Sequence, residues 1–499
     1  MANSLSIDFL SGNPFGPVDG IRDDANAFVE TSSISFFNNS EKQYTYIVAA
    51  KGVGKSALYD YLALNPQKNI FIFPIDMANY AIERNFFSKN GSVCCFLIEQ
   101  IVKFLYKNCT DDKNRYNYFY LKLRENNLRI PGIYNDSKYE RTQALRVTTP
   151  VGSVGGEEKT EGSIQCCDEA SSFFSICLGI IMNYCQQLKT KLILLIDGVD
   201  ECLEYIDINI NPLPEERKTK FMNELFYLIR RIKVGCSSYI NCKLFIRDDL
   251  FNAKNFCSNM DKELPCVYRL SWSPNEIMEL IGKRLLCIDV LYNIVSSQLK
   301  SNLNPPPRNN LLDRIKNFRT DKKEIPRIDS EMCKKAVSFF LPHNLLAAPQ
   351  EAITLSLSDW IVAKFSDCNG CINPRIIIAF FNELCNKQAN YYKNTNTNQI
   401  NYTAEYVPIF HEEIFLEAYD AVKEIELARI MPALTKQERL ILKKIINESS
   451  VNGTYESLIS ENDKNYLNKL KQMGVIKLCG STKIKLSSLL IGVSTAIIN

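Results

Sequence analysis

The sequence predicts an α/β protein: a central parallel sheet with helices on both faces, then a helical segment, then a small C-terminal domain of helices and a hairpin. Three observations carry this expectation. Short aliphatic runs alternate with helical periodicity from Tyr44 to Leu270. One run, Lys191 to Ile196 (KLILLI), is too short for a helix and too apolar for an exposed strand, so it belongs at the centre of a sheet covered on both sides. After Trp272 the strand pattern stops, and residues 274–390 read as helices.

Composition bounds the class. A chain of 499 residues has a prior of roughly two to four domains. With 46% hydrophobic and 23% charged residues it reads as an ordinary globular chain that can bury a core without staples. The net charge of +3 is too small to argue for or against nucleic acid, so the distribution of charge matters more than its total. Eighteen cysteines are many, yet they form no compact disulfide framework, and Met1 to Asp8 lacks a basic segment followed by an apolar core. The expectation is free thiols in a reducing cytoplasm. Cys368 and Cys371 form one CxxC pair; a zinc site needs two more nearby ligands, and the only histidines are His343 and His411, so packing cysteines are expected. No apolar run reaches the ~18 residues of a membrane helix, so no membrane partner is expected.

The elements follow in order. Residues 1–43 are mixed, with a loop-like Asn13-Pro14-Phe15-Gly16 followed by an expected helix. Tyr44 to Ala50 is a short strand, followed by a Gly-rich turn and a helical pattern at Ala57, Leu58, Tyr61 and Leu62. Asn69 to Ile75 (NIFIFPI) is a second buried strand ending at Asp76, and a helix is expected from Val93 to Tyr106. Residues 109–165 read as a polar insertion, with loop or hairpin at Pro150 to Gly156. A helix through Phe173–Gln186 leads to the central strand. Another helix, Glu215 to Ile232, leads to a strand at Cys242 to Ile246, and Cys266 to Leu270 is a weaker fifth strand. A Pro-rich, basic loop at Asn302–Arg327 breaks the helices beyond. The expected domains are an N-terminal segment 1–43, a core 44–272, a helical segment 273–390, a connector 391–433 and a small domain 434–499.

The Gly-rich turn carries the chemistry. Ala49-Ala50-Lys51-Gly52-Val53-Gly54-Lys55-Ser56 matches the phosphate-loop pattern G-x-x-x-x-G-K-[ST], with Ala49 in place of the first glycine. Ala there asks for negative φ. Glycines let backbone N–H groups wrap phosphates without a Cβ in the way, and the following helix offers the positive end of its dipole. Ala50, Lys51, Gly52, Val53, Gly54, Lys55, Ser56 and Ala57 are therefore the expected nucleotide-binding stretch, for ATP above all. Lys55 would reach the β- and γ-phosphates and Ser56 would hold Mg²⁺.

Such a loop needs an acid at the end of another central strand. Leu192 to Ile196 ends in Asp197-Gly198-Val199-Asp200-Glu201. Asp197 is the candidate magnesium acid. Asp200 and Glu201 are candidates for polarising the attacking water, with Glu201 preferred.

The hhhhDGVDE string resembles the acidic motif of STAND-type and AAA+-related P-loop ATPases. Lys243-Leu244-Phe245-Ile246-Arg247-Asp248-Asp249-Leu250-Phe251 resembles a further strand and turn of bacterial stand-alone ATPases of this group, with Arg247 at the position of their polar nucleotide sensor. Leu270-Ser271-Trp272-Ser273 looks like their transition to a helical lid, and Asn373-Pro374-Arg375, with Asn382 two turns later, resembles the lid's sensor arginine. The resemblance spans roughly residues 10–390 and implies a P-loop NTPase core with a helical lid. The stretch between Lys55 and Asp197 is longer than is usual in AAA+ proteins, which the insertion would account for.

In the last segment, Thr435-Lys436-Gln437-Glu438 is a capping box before an apolar helix. A second short helix is expected at Tyr455–Ser460, a third from Asn462 to Met473, and a hairpin about Cys479–Thr482; the whole resembles a winged helix. From Thr435 onward ten Lys and Arg face five Asp and Glu. The third helix would present Lys464, Asn465, Asn468, Lys469 and Lys471, which is compatible with DNA contact, while winged helices in such ATPases also serve as docking modules. The expected activity is hydrolysis of ATP to ADP and phosphate. Two outputs stay open: a switch that controls a homo-oligomer or an effector protein in trans, for which the resemblance implies antiphage defence, and a DNA-acting motor or loader.

Overall fold

The computed structural model describes residues 3–17, 29, 45–65, 69–78, 93–108, 113–128, 130, 167–203, 215–248, 250–251, 263–298, 328–346, 354–402, 406–407, 409–450, 453–456, 461–480 and 483–494. The chain forms two compact units. A sheet unit comprises residues 43–48 and 59–268, and a helical unit comprises 1–42, 49–58 and 269–499.

The first strand, β1 (Asn3–Ser6), belongs to the helical unit. β2 (Tyr46–Ala49) leads through the Gly-rich turn to helix α1 (Lys55–Leu64). The sheet unit continues with β3 (Ile70–Asp76), α2 (Val93–Asn108), α3 (Lys113–Glu125), α4 (Cys167–Leu188), β4 (Lys191–Asp197), α5 (Glu215–Cys236), β5 (Ile240–Arg247) and β6 (Val267–Arg269). The five strands lie in the order β3-β4-β5-β2-β6. β3 pairs in parallel with β4, and β4 in parallel with β5. β2 is stitched between its neighbours at Thr45, whose N–H donates to Cys266 O (2.9 Å) and whose carbonyl accepts from Leu244 N (2.8 Å). A sheet of this order, with one strand running into a glycine-rich turn and a helix, is the α/β P-loop NTPase fold that the sequence predicts.

Aliphatic content explains the sheet's place. Leu192, Leu194, Leu195 and Ile196 of β4 are essentially inaccessible, each burial worth about 1.5–3 kcal/mol. α2 packs on α4 and α5, and α5 covers β5. Within the segment read as an insertion, α3 seats Phe119 and Leu123 in the core. Pro150 to Gly156 lies outside the described residues, as do the helix expected after Gly16 and the basic loop Asn302–Arg327.

The helical unit holds α6 (Pro274–Leu286), α7 (Asp289–Gln298), α8 (Ser330–Phe340), β7 (Asn344–Leu346), β8 (Thr354–Ser356), α9 (Leu357–Phe365), α10 (Pro374–Asn394), β9 (Gln399–Tyr402) and α11 (Glu412–Ile430). Its core closes around Trp360, Phe365, Phe380 and Phe415. Strands do not stop at Trp272. β7 and β8 form an antiparallel hairpin, and β9 pairs with β1. Leu345 anchors the hairpin in the core, and Trp360 Nε1 donates to Leu346 O at 3.0 Å.

The chain ends with α12 (Lys436–Glu448), β10 (Thr454–Glu456), α13 (Glu461–Gln472), β11 (Ile476–Leu478) and β12 (Lys483–Leu486), the three strands ordered β10-β12-β11. Thr435 and Glu438 form the expected capping box. Where a helix is expected at Tyr455–Ser460, Thr454–Glu456 form a strand, and 457–460 lie outside the described residues. Gly453, at φ +69°, turns the chain, and Tyr455 is buried opposite Ile484. The apolar tail closes a core, as expected, through Leu486, Leu490 and Val493. Among the described residues no helix is long and apolar enough to cross a membrane, and no disulfide is formed.

Candidate functional site

The phosphate loop lies in the helical unit. Ala49 ends β2 in extended conformation, so the missing first glycine costs no strain. Gly52 and Gly54 take φ of +93° and +101°. Gly52 is required twice over, because a Cβ there would meet the Asn373 side-chain amide at 2.8 Å. Val53 N donates to Ala50 O at 3.4 Å, and Leu58 N to Gly54 O at 3.0 Å, which closes the turn onto α1. Ser56 and Ala57 stand in the first turn of that helix. Lys55 is buried, its Nζ 3.4 Å from both Ala49 O and Ala50 O. Charge-assisted bonds are normally near 2.7–2.9 Å, so phosphate oxygens would be better acceptors than these distant carbonyls.

Three side chains far along the chain hold the loop by its carbonyls. Trp272 Nε1 donates to Val53 O at 2.7 Å. Lys51 O accepts from Asn373 Nδ2 at 3.2 Å and from Arg429 Nη1 at 3.3 Å. Asn373 also caps α10, its Oδ1 accepting from Arg375 N at 3.0 Å, which sets Arg375 in that helix's first turn. Asn382, on the same helix, clasps the Asn13–Gly16 loop. Its Oδ1 accepts from Phe15 N (3.0 Å) and its Nδ2 donates to Gly16 O (2.9 Å), while Arg284 Nη1 donates to Phe15 O (2.6 Å).

The acidic residues lie in the sheet unit. Asp197 ends β4 and is buried. In the β3–β4 register it stands opposite Asp76, the last residue of β3. Gly198 follows at φ +73°, and a Cβ on it would overlap the Asp76 carboxylate. A helical turn then starts, with Cys202 N donating to Gly198 O at 2.9 Å. Asp200 is half-buried and Glu201 exposed. Arg247, buried at the end of β5, places Nη1 3.9 Å from Asp200 Oδ2. Asp60, on the second turn of α1, joins the group. Burial first, then Asp197 and Asp76, push its carboxyl up to about 6. Burial followed by Asp197, Asp76 and Asp60 likewise raises the Tyr59 hydroxyl.

Hard carboxylate oxygens and the Ser56 hydroxyl are the donor types that suit Mg²⁺. Among the described residues no three His, Cys, Asp or Glu side chains converge tightly enough to cage an ion. Mg²⁺ that keeps waters and takes phosphate oxygens needs only one or two protein carboxylates, and Asp76 and Asp197 at adjacent strand ends of the sheet unit are of that donor type.

Sequence reasoning places Lys55, Ser56 and Asp197 at strand and helix ends but misses Asp60, Trp272, Asn373's grip on the loop and Arg429. Asp76 has a usable signal, since NIFIFPID ends as KLILLID does. Of the CxxC pair, Cys368 Sγ lies 3.5 Å from Lys485 O and 3.7 Å from Val475 O, and burial pushes its thiol up to about 11.

No family model matches the chain, and no curated protein matches it. Two solved structures are similar along most of its length. The Walker-type ATPase Paby2304 of Pyrococcus abyssi is 10% identical with a TM-score of 0.39, covering 96% of this chain and 98% of its own. The ORC2 protein of Aeropyrum pernix, solved in ADPNP–ADP complexes, is 10% identical with a TM-score of 0.37, covering 96% of each chain. At that identity and score these are likenesses only, and the functional reading rests on this chain's own loop and acids.

Proposed function

We propose that the protein is an ATP-binding and ATP-hydrolysing molecular switch. The observation that carries this is the loop Ala50–Gly54, with two left-handed glycines leading into the N-terminus of α1 and the buried Lys55 lying over its carbonyls. Backbone N–H groups of such a loop wrap a polyphosphate, and Lys55 neutralises its charge. Ser56 and Asp197 would hold Mg²⁺, which when bound offsets charge developing on the phosphate oxygens. Glu201 orients and deprotonates the water that attacks the γ-phosphorus, the bond to the β-phosphate oxygen breaks, and ADP and phosphate leave. Asp200, whose Oδ2 lies 3.9 Å from Arg247 Nη1, is the alternative to Glu201 for the water. Arg247 and Arg375 sense the γ-phosphate.

The output is a change of assembly, either of a homo-oligomer or with an effector protein in trans, and the resemblance of the DGVDE motif to STAND-type ATPases suggests bacterial antiviral defence as its setting. The second reading, a DNA-acting motor, draws on Lys477, Lys483 and Lys485, all exposed on β11 and β12 of the C-terminal domain, whose sequence resembles a winged helix. Against it, Lys469 turns to Glu438 at 3.3 Å.

Lys55→Ala should abolish nucleotide binding. Glu201→Gln should leave ATP affinity within about threefold and lower turnover on the order of a hundredfold. A native chain that releases no phosphate from ATP would sink the hydrolysis reading, and normal turnover by Glu201→Gln would sink that residue's role. Stimulation of turnover by duplex DNA at low salt would move the balance to the second reading; a change of particle size with a non-hydrolysable ATP analogue would hold the first.

A further inference from the structure

To wrap a polyphosphate, the amides of residues 50–56 must point at it, and three side chains bond the carbonyls on the other side of two of those peptides. A trans peptide places its N–H opposite its C=O. The carbonyl of Lys51 shares a peptide plane with the amide of Gly52, and the carbonyl of Val53 with that of Gly54. These carbonyls are the two that are gripped. Trp272 Nε1 holds Val53 O at 2.7 Å, and Asn373 Nδ2 and Arg429 Nη1 hold Lys51 O at 3.2 and 3.3 Å. Both glycines sit at positive φ, where the backbone is free to take many other conformations, so a peptide flip would otherwise be easy.

Each gripping side chain is itself fixed. Trp272 packs against the apolar core of the helical unit. Asn373 is tied as the cap of α10. Arg429 is held bidentately by the buried Glu426, Nε to Oε2 at 2.7 Å and Nη2 to Oε1 at 2.5 Å, which leaves Nη1 for the loop.

We infer that Trp272, Asn373 and Arg429 are positioning residues that hold Lys51 O and Val53 O from behind, so that the Gly52 and Gly54 amides face a bound polyphosphate. They touch loop backbone and do no chemistry themselves. The inference rests on the nucleotide-binding reading of that loop, and its chemistry extends to any anion with the phosphate spacing of ADP.

The test uses the full chain and three mild variants. Trp272→Phe keeps the ring and loses the donor. Asn373→Ser keeps a capping oxygen and loses the reach. Arg429→Ala removes the third grip, and Arg429→Lys returns the charge. Two readouts are taken: affinity for a fluorescent ADP, and hydrogen exchange over residues 50–58 without nucleotide, where Val53 N and Leu58 N bond within the turn. Each donor-loss variant should weaken ADP binding about three- to tenfold. Exchange over 50–58 should quicken while β4 stays protected, and Arg429→Lys should recover part of both effects. Variants that match the native chain in both readouts overturn the inference. Weaker ADP binding with unchanged loop exchange also overturns it, because the side chains would then act on the nucleotide directly. A native chain that binds no ADP would end the ATPase reading, and the nucleotide-free exchange would still decide the grip. If Arg429→Ala does not fold, Trp272→Phe and Asn373→Ser carry the test.

Discussion

Asp60 is held in an uncomfortable state. Burial, then Asp197 and Asp76, raise its carboxyl from 3.8 to about 6. The folded chain therefore holds this proton more tightly than the unfolded chain. Its contribution to stability is fully present below the ordinary carboxylate value and is lost as pH rises towards about 6. The native chain without metal or nucleotide should accordingly lose part of its thermal midpoint between about pH 4 and pH 6, and Asp60→Asn should flatten that part of the curve. Parallel curves for the two proteins would show that Asp60 does not carry the dependence. The contrast between Asp60 and Asp197 also shows what a sequence can reveal about a site. Asp197 ends an aliphatic strand, and the run before it announces its place. Asp60 stands in an ordinary helical stretch, and only packing brings it to Asp197. Arg429 reaches Lys51 across 378 residues of sequence. No local pattern encodes such a meeting.

At the scale of elements, the legible parts are those with a long apolar pattern. β3, β4, β5, α4 and α5 fall where the runs put them, with ends moved by a few residues. β7, β8 and β10 are three residues each, too short to show an alternation, and around Tyr455 the local pattern reads as a helix because nothing near it in sequence reveals its pairing with Ile484. The joint between α13 and β11 shows how such an element is fixed. Gly474 sits at φ +72°, and a Cβ on it would collide with the Asp367 carboxylate. That carboxylate already orders its own loop, accepting from Asn369 N and Cys371 N at 2.8 Å each. Cys368 N in turn donates to Gly474 O at 2.9 Å. Gly480, at φ +91°, faces open space, and a Cβ on it would meet nothing within 4 Å. Gly480→Ala should cost about 1 kcal/mol for backbone strain alone. Gly474→Ala should cost about 1–3 kcal/mol more from the collision. Urea unfolding of the two variants checks this, and equal losses would mean that the Asp367 contact yields without cost.

On the scale of the whole chain, the loop near the start is tied to the domain at the end, within the helical unit. Arg429 lies in the last turn of α11, and Leu427 and Ile430, its near neighbours, are part of the apolar core that α12, α13 and the three C-terminal strands share. The bend after α11 is stiffened by Arg439 Nε, which donates to Met431 O and Leu434 O at 3.1 Å each. A change in how the C-terminal domain sits should therefore move Arg429, and with it the Lys51 carbonyl. Coupling of this kind is reciprocal, so nucleotide on the loop would bias the domain as much as the domain biases nucleotide. A double-mutant cycle reads it without naming the biological output. Gly474→Ala disturbs the domain far from the loop in sequence and should lower ADP affinity by about two- to fivefold in the native background. In an Arg429→Ala background the same substitution should have little further effect, because the link is already cut. If the two losses simply add, Arg429 is not the route, and the phosphate loop is set by Trp272 and Asn373 regardless of where the C-terminal domain rests.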